Sequence, residues 1–163
     1  MRKLLFLIYI FILSLTSLAI SGEVIDVADG DTLVLKAGSK KIRVRMYGID
    51  APELKQRYGE ISKKYLEDKI LYKKVDVKVM DQDKYGRKVG KVFYKSKDVN
   101  LEMIATGNAW FYEYHAKREK AYKKAFKIAQ EKKLGLWKDK NPENPREYRM
   151  KHKREDWYLW KKI

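Results

Sequence analysis

The sequence predicts an α+β fold: a five-stranded Greek-key β-barrel carrying about three α-helices. Two observations point to it. Short runs such as Lys41-Ile42-Arg43-Val44-Arg45-Met46-Tyr47 alternate apolar with basic or polar residues, the pattern of half-buried strands. Two longer stretches, residues 59–71 and 117–134, instead place apolar residues three and four apart, the helical period.

Residues 23–29 and 32–36 read as the first two strands, joined by Asp29-Gly30-Asp31-Thr32. Gly30 is expected to supply a positive φ for that turn. Residues 37–40 form the next turn and residues 41–47 the third strand. Pro52 has no N–H to give a ladder, so this strand should end near Gly48 and release Asp50 and Glu53 at its lip. Ile61, Tyr65, Leu66 and Ile70 make the apolar face of the helix over 59–71. Residues 75–80 and 88–94 are the fourth and fifth strands, with Asp83-Lys84-Tyr85-Gly86-Arg87 turning between them. Asp98 suits the N-cap of a short helix over 99–106, and Gly107 its stop. Ala121, Tyr122, Ala125, Phe126, Ile128 and Ala129 line one face of the last helix, 117–134. Five strands in hairpins with a helix after the third suggest a closed barrel of the OB-fold type.

The ends differ in composition. Arg2-Lys3, an apolar run over 4–13 and small residues up to Ser21 describe a secretory signal, with cleavage after Ala19 or Ser21. The rival is an uncleaved membrane anchor, though the run is short against the ~20 residues of a spanning helix. The expected division is therefore 1–21 signal, 22–137 barrel domain and 138–163 tail. Trp157 and Trp160 interleave with basic residues in the tail. It reads as a short helix packed on the domain or, slightly favoured, a loose arm for anionic surfaces. The formal net charge of +16 points to polyanionic partners: nucleic acid, anionic lipid or a cell-surface polymer met through the tail. With no cysteine there is no disulfide and no lipidated thiol, and two scattered histidines, His115 and His152, argue against zinc.

The charged turns carry the chemistry. Asp31 and Asp50 offer two carboxylates to one hard cation, which takes oxygen ligands. Glu53 could accept a proton from an attacking water. Arg45 and Arg87 stay charged, and their forks match phosphate oxygens in pairs. The set suits attack on a phosphodiester.

Asp29-Gly30-Asp31-Thr32, Arg45 through Gly48-Ile49-Asp50-Ala51-Pro52-Glu53, and Asp83-Lys84-Tyr85-Gly86-Arg87 together resemble the staphylococcal nuclease (thermonuclease) family. The likeness continues through Val99-Asn100, Gly107-Asn108-Ala109-Trp110 and Gly135-Leu136-Trp137, and spans roughly residues 23–137. It implies an OB-fold and a Ca2+-dependent nuclease acting on DNA and RNA, single strands favoured, to leave 3′-phosphates. By the same resemblance Asp31, Asp50 and the Ala51 backbone carbonyl hold calcium. Glu53 acts on water, Arg45 and Arg87 clamp the phosphate, and Lys84 and Tyr85 meet a neighbouring phosphate. Tyr112 and Tyr114 then line a nucleotide pocket. A monomer is expected. Two departures stand out: Ala51 where relatives often carry Thr, and a shorter connection from Glu53 to Tyr58. The rival readings are a non-catalytic OB-fold module that binds nucleic acid, and a cationic surface adhesin.

Overall fold

Strands β1 (Ala19–Asp29), β2 (Thr32–Ala37) and β3 (Lys40–Met46) run as an antiparallel meander in a computed structural model that describes residues 19–160. The short β4 (Ile49–Asp50) and helix α1 (Gly59–Ile70) follow. The hairpin of β5 (Lys74–Gln82) and β6 (Lys88–Tyr94) comes next. β1 pairs with β5, and β3 pairs in parallel with β6, so the order β3-β2-β1-β5-β6 closes on itself. Register shifts in β1 after Val24 and after Val27 add the bend that closure needs. β7 (Lys97–Asp98), α2 (Val99–Ala105), β8 (Trp110–Phe111), α3 (Glu113–Ala116), α4 (Lys120–Glu131), a 3-10 turn (Gly135–Lys138) and α5 (Pro145–Trp160) complete the chain.

The alternation read in the sequence is the inside–outside pattern of the barrel. Val24 and Val27, Leu33 and Leu35, Val44 and Met46, Val75 and Val77, and Val92 point inward and are buried. Leu66 and Ile70 of α1 close one end, with Met103 and Ile104 of α2 in the same cluster. A smaller cluster of Ala129, Leu136 and Trp137 seats the C-terminal part, with Trp110 packed edge-on against Trp137 at 4.5 Å.

Asn100 ties the strand that leads into β4 to the rest. It is fully buried. Its Oδ1 accepts from the Val92 N–H at 2.9 Å, and its Nδ2 donates to the carbonyls of Tyr47 (2.8 Å) and Gly90 (3.2 Å). Asp98 caps α2 by accepting from the Leu101 N–H at 2.9 Å, as the sequence suggested.

Several expectations need correction. Gly30 is not among the positive-φ glycines. Its role is close approach, because a Cβ there would lie 2.0 Å from Ser62 Oγ and 2.7 Å from the Ala51 Cβ. The left-handed turn falls instead at Gly48, with φ of 72°. The helix expected over 117–134 is shorter: α4 runs Lys120–Glu131, and Glu119 just before it takes ψ of 76° with its carboxylate on Lys91 at 2.8 Å. The described residues hold five helices rather than about three. The tail enters helix α5 at Pro145, where the sequence had slightly favoured a loose arm. The expected domain start at residue 22 falls inside β1, whose Ala19, Ile20 and Ser21 pair with Lys78, Val77 and Asp76. The rest of the expected leader, residues 1–18, lies outside the described residues.

Asn100→Ala would leave the Val92 N–H and the Tyr47 carbonyl without this partner, while the Gly90 carbonyl keeps the Tyr47 N–H at 2.8 Å. It should cost about 3 kcal/mol of unfolding free energy, read from urea denaturation, since each orphaned buried group costs ~1–3 kcal/mol.

Candidate active site

The β2–β3 register sets Thr32 opposite Arg45, which brings Asp31 beside the arginine side chain. Arg45 Nη1 reaches Asp31 Oδ1 at 3.0 Å and Arg45 Nη2 reaches Asp50 Oδ1 at 2.9 Å. The same Nη1 donates to the carbonyls of Ile49 (3.0 Å) and Met46 (3.2 Å). One guanidinium thus gathers two loops. Its Nε–H and one Nη2–H keep no protein acceptor among the described residues.

Asp50 is held differently from the expectation. It does not hang from a strand end but belongs to β4, where it is opposite Trp110 of β8. Trp110 is fixed in turn by Trp137 and Phe126. Asp50 is 2% exposed and Asp31 5%. Asp31 Oδ2 accepts the Ala51 N–H at 2.7 Å, and its Oδ1 accepts the Thr32 hydroxyl at 3.1 Å. Burial pushes the Asp31 carboxyl well above its usual range. Arg45 and the Ala51 N–H pull it back, while Asp29 and Asp50 add to the rise. Two buried carboxylates thus share the one Arg45 guanidinium.

Glu53 stands on the rim, partly exposed, with its backbone N–H on Gln56 Oε1 at 3.1 Å. Its side chain meets a residue that the sequence reading did not single out. Arg149, on α5, places Nη1 2.7 Å from Glu53 Oε1 and 3.1 Å from Asp50 Oδ1, and Nη2 2.9 Å from Asp50 Oδ2. Burial disfavours this guanidinium's charge, but the bonds to Asp50 and Glu53 outweigh it and raise its pKa further. Asn144-Pro145 was the available signal, since Asn caps and Pro at the first helical position mark a helix start. Nothing in the sequence said where that helix would dock.

Arg87 comes near by register rather than by contact. The parallel β3–β6 pairing sets Lys88 opposite Val44 and Val89 opposite Arg45, so Arg87 enters the strand beside the arginine. Its Nε donates to Asp83 Oδ2 at 2.6 Å. Burial raises the Asp83 pKa, but the Arg87 side chain and the N–H groups of Arg87 and Tyr85 hold it below its usual range. Lys84 and Tyr85 lie at the loop tip, the ammonium 5.1 Å from the ring centroid, with Tyr85 70% exposed. Tyr112 and Tyr114 form an aromatic cluster with His115, and the Tyr112 N–H donates to the Gly48 carbonyl at 2.9 Å. The structure thus joins Asp31, Arg45, Asp50 and Glu53 in one network. Arg87, Lys84, Tyr85, Tyr112 and Tyr114 stand outside that network and make other contacts.

The donor set suits a hard cation: two buried carboxylates, short of positive charge, with the buried Ala51 next to Asp50. Among the described residues no group of three or more His, Asp or Glu is placed to hold a metal ion by itself. The remaining ligands would be a carbonyl and water.

The family model described as staphylococcal nuclease homologue matches residues 43–139. The chain belongs to the staphylococcal nuclease family. Within this family it is 40% identical to a Haemophilus influenzae protein named "Uncharacterized endonuclease" over 132 residues, covering 80% of this chain and 74% of that one. A protein of the same name from Escherichia coli O157:H7 is 35% identical over 147 residues, covering 89% and 95%. A Shigella flexneri "Micrococcal nuclease" is 34% identical over 138 residues, covering 78% and 79%. The family match includes Arg45, Asp50, Glu53 and Arg87 but stops short of Asp31 and Arg149.

Arg45→Met should lower stability in chelator by about 3 kcal/mol, because it leaves the buried Asp31 carboxylate without its cationic partner. Thermal unfolding with and without calcium checks this, and added calcium should recover part of the loss.

Proposed function

We propose that this chain is an exported, calcium-dependent nuclease that hydrolyses DNA and RNA phosphodiesters and leaves 3′-phosphates. The observation that carries the reading is the network on Arg45: two buried carboxylates bound to one arginine, with a third, Glu53, beside them on the rim. The names of the relatives, endonuclease and micrococcal nuclease, support it. A binding module has no need of a buried pair of carboxylates, which costs folding free energy.

Asp31 and Asp50, with the Ala51 carbonyl, would hold the calcium. When bound, it would supply Lewis-acid charge withdrawal at the scissile phosphate. Arg45 then does two jobs. It neutralises the carboxylates, and its spare Nε–H and Nη2–H can receive a phosphate oxygen. Arg87, tethered by Asp83 through Nε, keeps both Nη groups for the extra negative charge of a five-coordinate transition state. Glu53, more exposed than Asp31 and Asp50, can reach water and take its proton at a carboxylate oxygen. Lys84 and Tyr85 would meet a neighbouring phosphate, and exposed Tyr114 with Tyr112 would offer faces for a base. The charge of +16 favours approach of any polyanion, which fits weak sequence preference.

Export rests on the leader-like N-terminus. Cleavage after Ala19 keeps Ile20 and Ser21 on β5, whereas cleavage after Ser21 strips them. The mass of the exported chain should therefore place Ile20 first.

Glu53→Gln should leave calcium affinity, read by calorimetry, within a few-fold of the parent. It should cut turnover on a single-stranded oligonucleotide by ~100-fold or more, the scale of general-base loss. Unchanged turnover removes Glu53 from the mechanism. Cleavage that persists in chelator removes the cation.

A further inference from the structure

The C-terminal helix puts a cation where the proposed site would take one. Asn144 Oδ1 accepts the Arg146 N–H at 2.9 Å, which starts α5 and sets Arg149 one turn in. The approach to the helix is pinned to the turn after Glu53. Gln56 Nε2 donates to the Glu143 carbonyl at 2.6 Å, and Arg57 pairs with Asp139 at 2.7 Å. The short Glu53–Tyr58 connection is thus overlain by the chain that carries Arg149.

The lone pairs of Asp50 are nearly spent. A carboxylate has about four acceptor sites. Arg45 uses one, at 2.9 Å, and Arg149 uses one on each oxygen, at 3.1 and 2.9 Å. A divalent cation needs those same oxygens at ~2.3–2.6 Å, and it repels a guanidinium beside it. One arginine has to move. Arg45 is 18% exposed and bonded to two backbone carbonyls, so it is fixed. Arg149 is 44% exposed and makes only side-chain bonds, so it is free to swing outward.

We propose that Arg149 is a further active-site residue, a built-in counter-cation that closes the Asp50–Glu53 cleft in the metal-free chain and is exchanged off Asp50 when a divalent cation binds. It is a positioning residue: it acts through Asp50 and Glu53. Helix α5 and the cation therefore compete for one carboxylate. Removing Arg149 opens the site to the cation and loosens α5. The proposal rests on reading Asp50 as a cation ligand.

The test is a calcium titration by calorimetry on the full parent chain and on Arg149→Gln, Arg149→Lys and Asp50→Asn, each first checked for folding by circular dichroism. Arg149→Gln should bind calcium about tenfold more tightly than the parent, as expected when a well-aligned competing ion pair is lost. Arg149→Lys keeps the charge but cannot span three oxygens, so it should fall between them. It also keeps the test decisive if Arg149→Gln does not fold. Asp50→Asn should abolish binding. Parent and both Arg149 variants binding with equal affinity, lost only in Asp50→Asn, would overturn the exchange and leave the cation site standing. No binding by any of the four would overturn both.

Discussion

Two buried carboxylates side by side demand positive charge, and much of this molecule is arranged to supply it. Asp31 and Asp50 are 5% and 2% exposed, so water cannot do it. Each contact with Arg45, near 3 Å, contributes about 5 kcal/mol of attraction at an effective dielectric of ~20. Desolvation of the ions costs several kcal/mol each. One arginine shared between two anions therefore roughly balances its own burial and one carboxylate, and leaves the second short. Arg149 on Asp50 supplies that second charge, while burial above all pushes the Asp31 carboxyl up.

The barrel supplies the rigidity that this arrangement needs. The register of one hairpin sets Thr32 opposite Arg45 and so brings Asp31 beside it, and a one-residue slip would turn every side chain of β3 to the other face. Asp50 is fixed by a two-residue ladder to β8, which rests on Trp110, Trp137 and Phe126. Asn100 clamps the carbonyls of Tyr47 and Gly90 and so holds the strand just before Gly48. The site's geometry is thus paid out through packing remote from it, in valines of the barrel and tryptophans of the C-terminal cluster.

A chain with a net charge of +16 spends few of its cations on structure near the site. Arg45 is held fixed inside the network, while Lys84 stands out on a loop tip beside the exposed Tyr85 ring. That division matches what a phosphodiester requires: fixed charge at the reacting phosphate and mobile charge along the rest of the strand. The tail is not separate from this. Helix α5 carries Arg149 onto Glu53 at the rim of the carboxylate cleft, and the Glu143 carbonyl before it accepts from Gln56 in the turn after Glu53.

By itself the sequence determined the barrel strands, because period-two alternation is a local pattern written in each strand. It also determined the Asp98 cap, and it named Asp31, Arg45, Asp50 and Glu53, which the structure joins in one network. Tertiary structure alone decided what no local pattern carries. Gly30 is a matter of Ser62 and Ala51 pressing on it, not of its own turn. Helix α4 begins at Lys120 rather than Lys117, where Glu119 turns out of helical geometry and meets Lys91 across space. Asp50 became a strand residue because Trp110 lay opposite. Arg149 is the clearest instance: it pairs with Asp50, 99 residues earlier, and in a lysine-rich tail it reads as one more solvated charge. Pairings at such separation are set by packing of whole elements, and a chain read in order does not contain them.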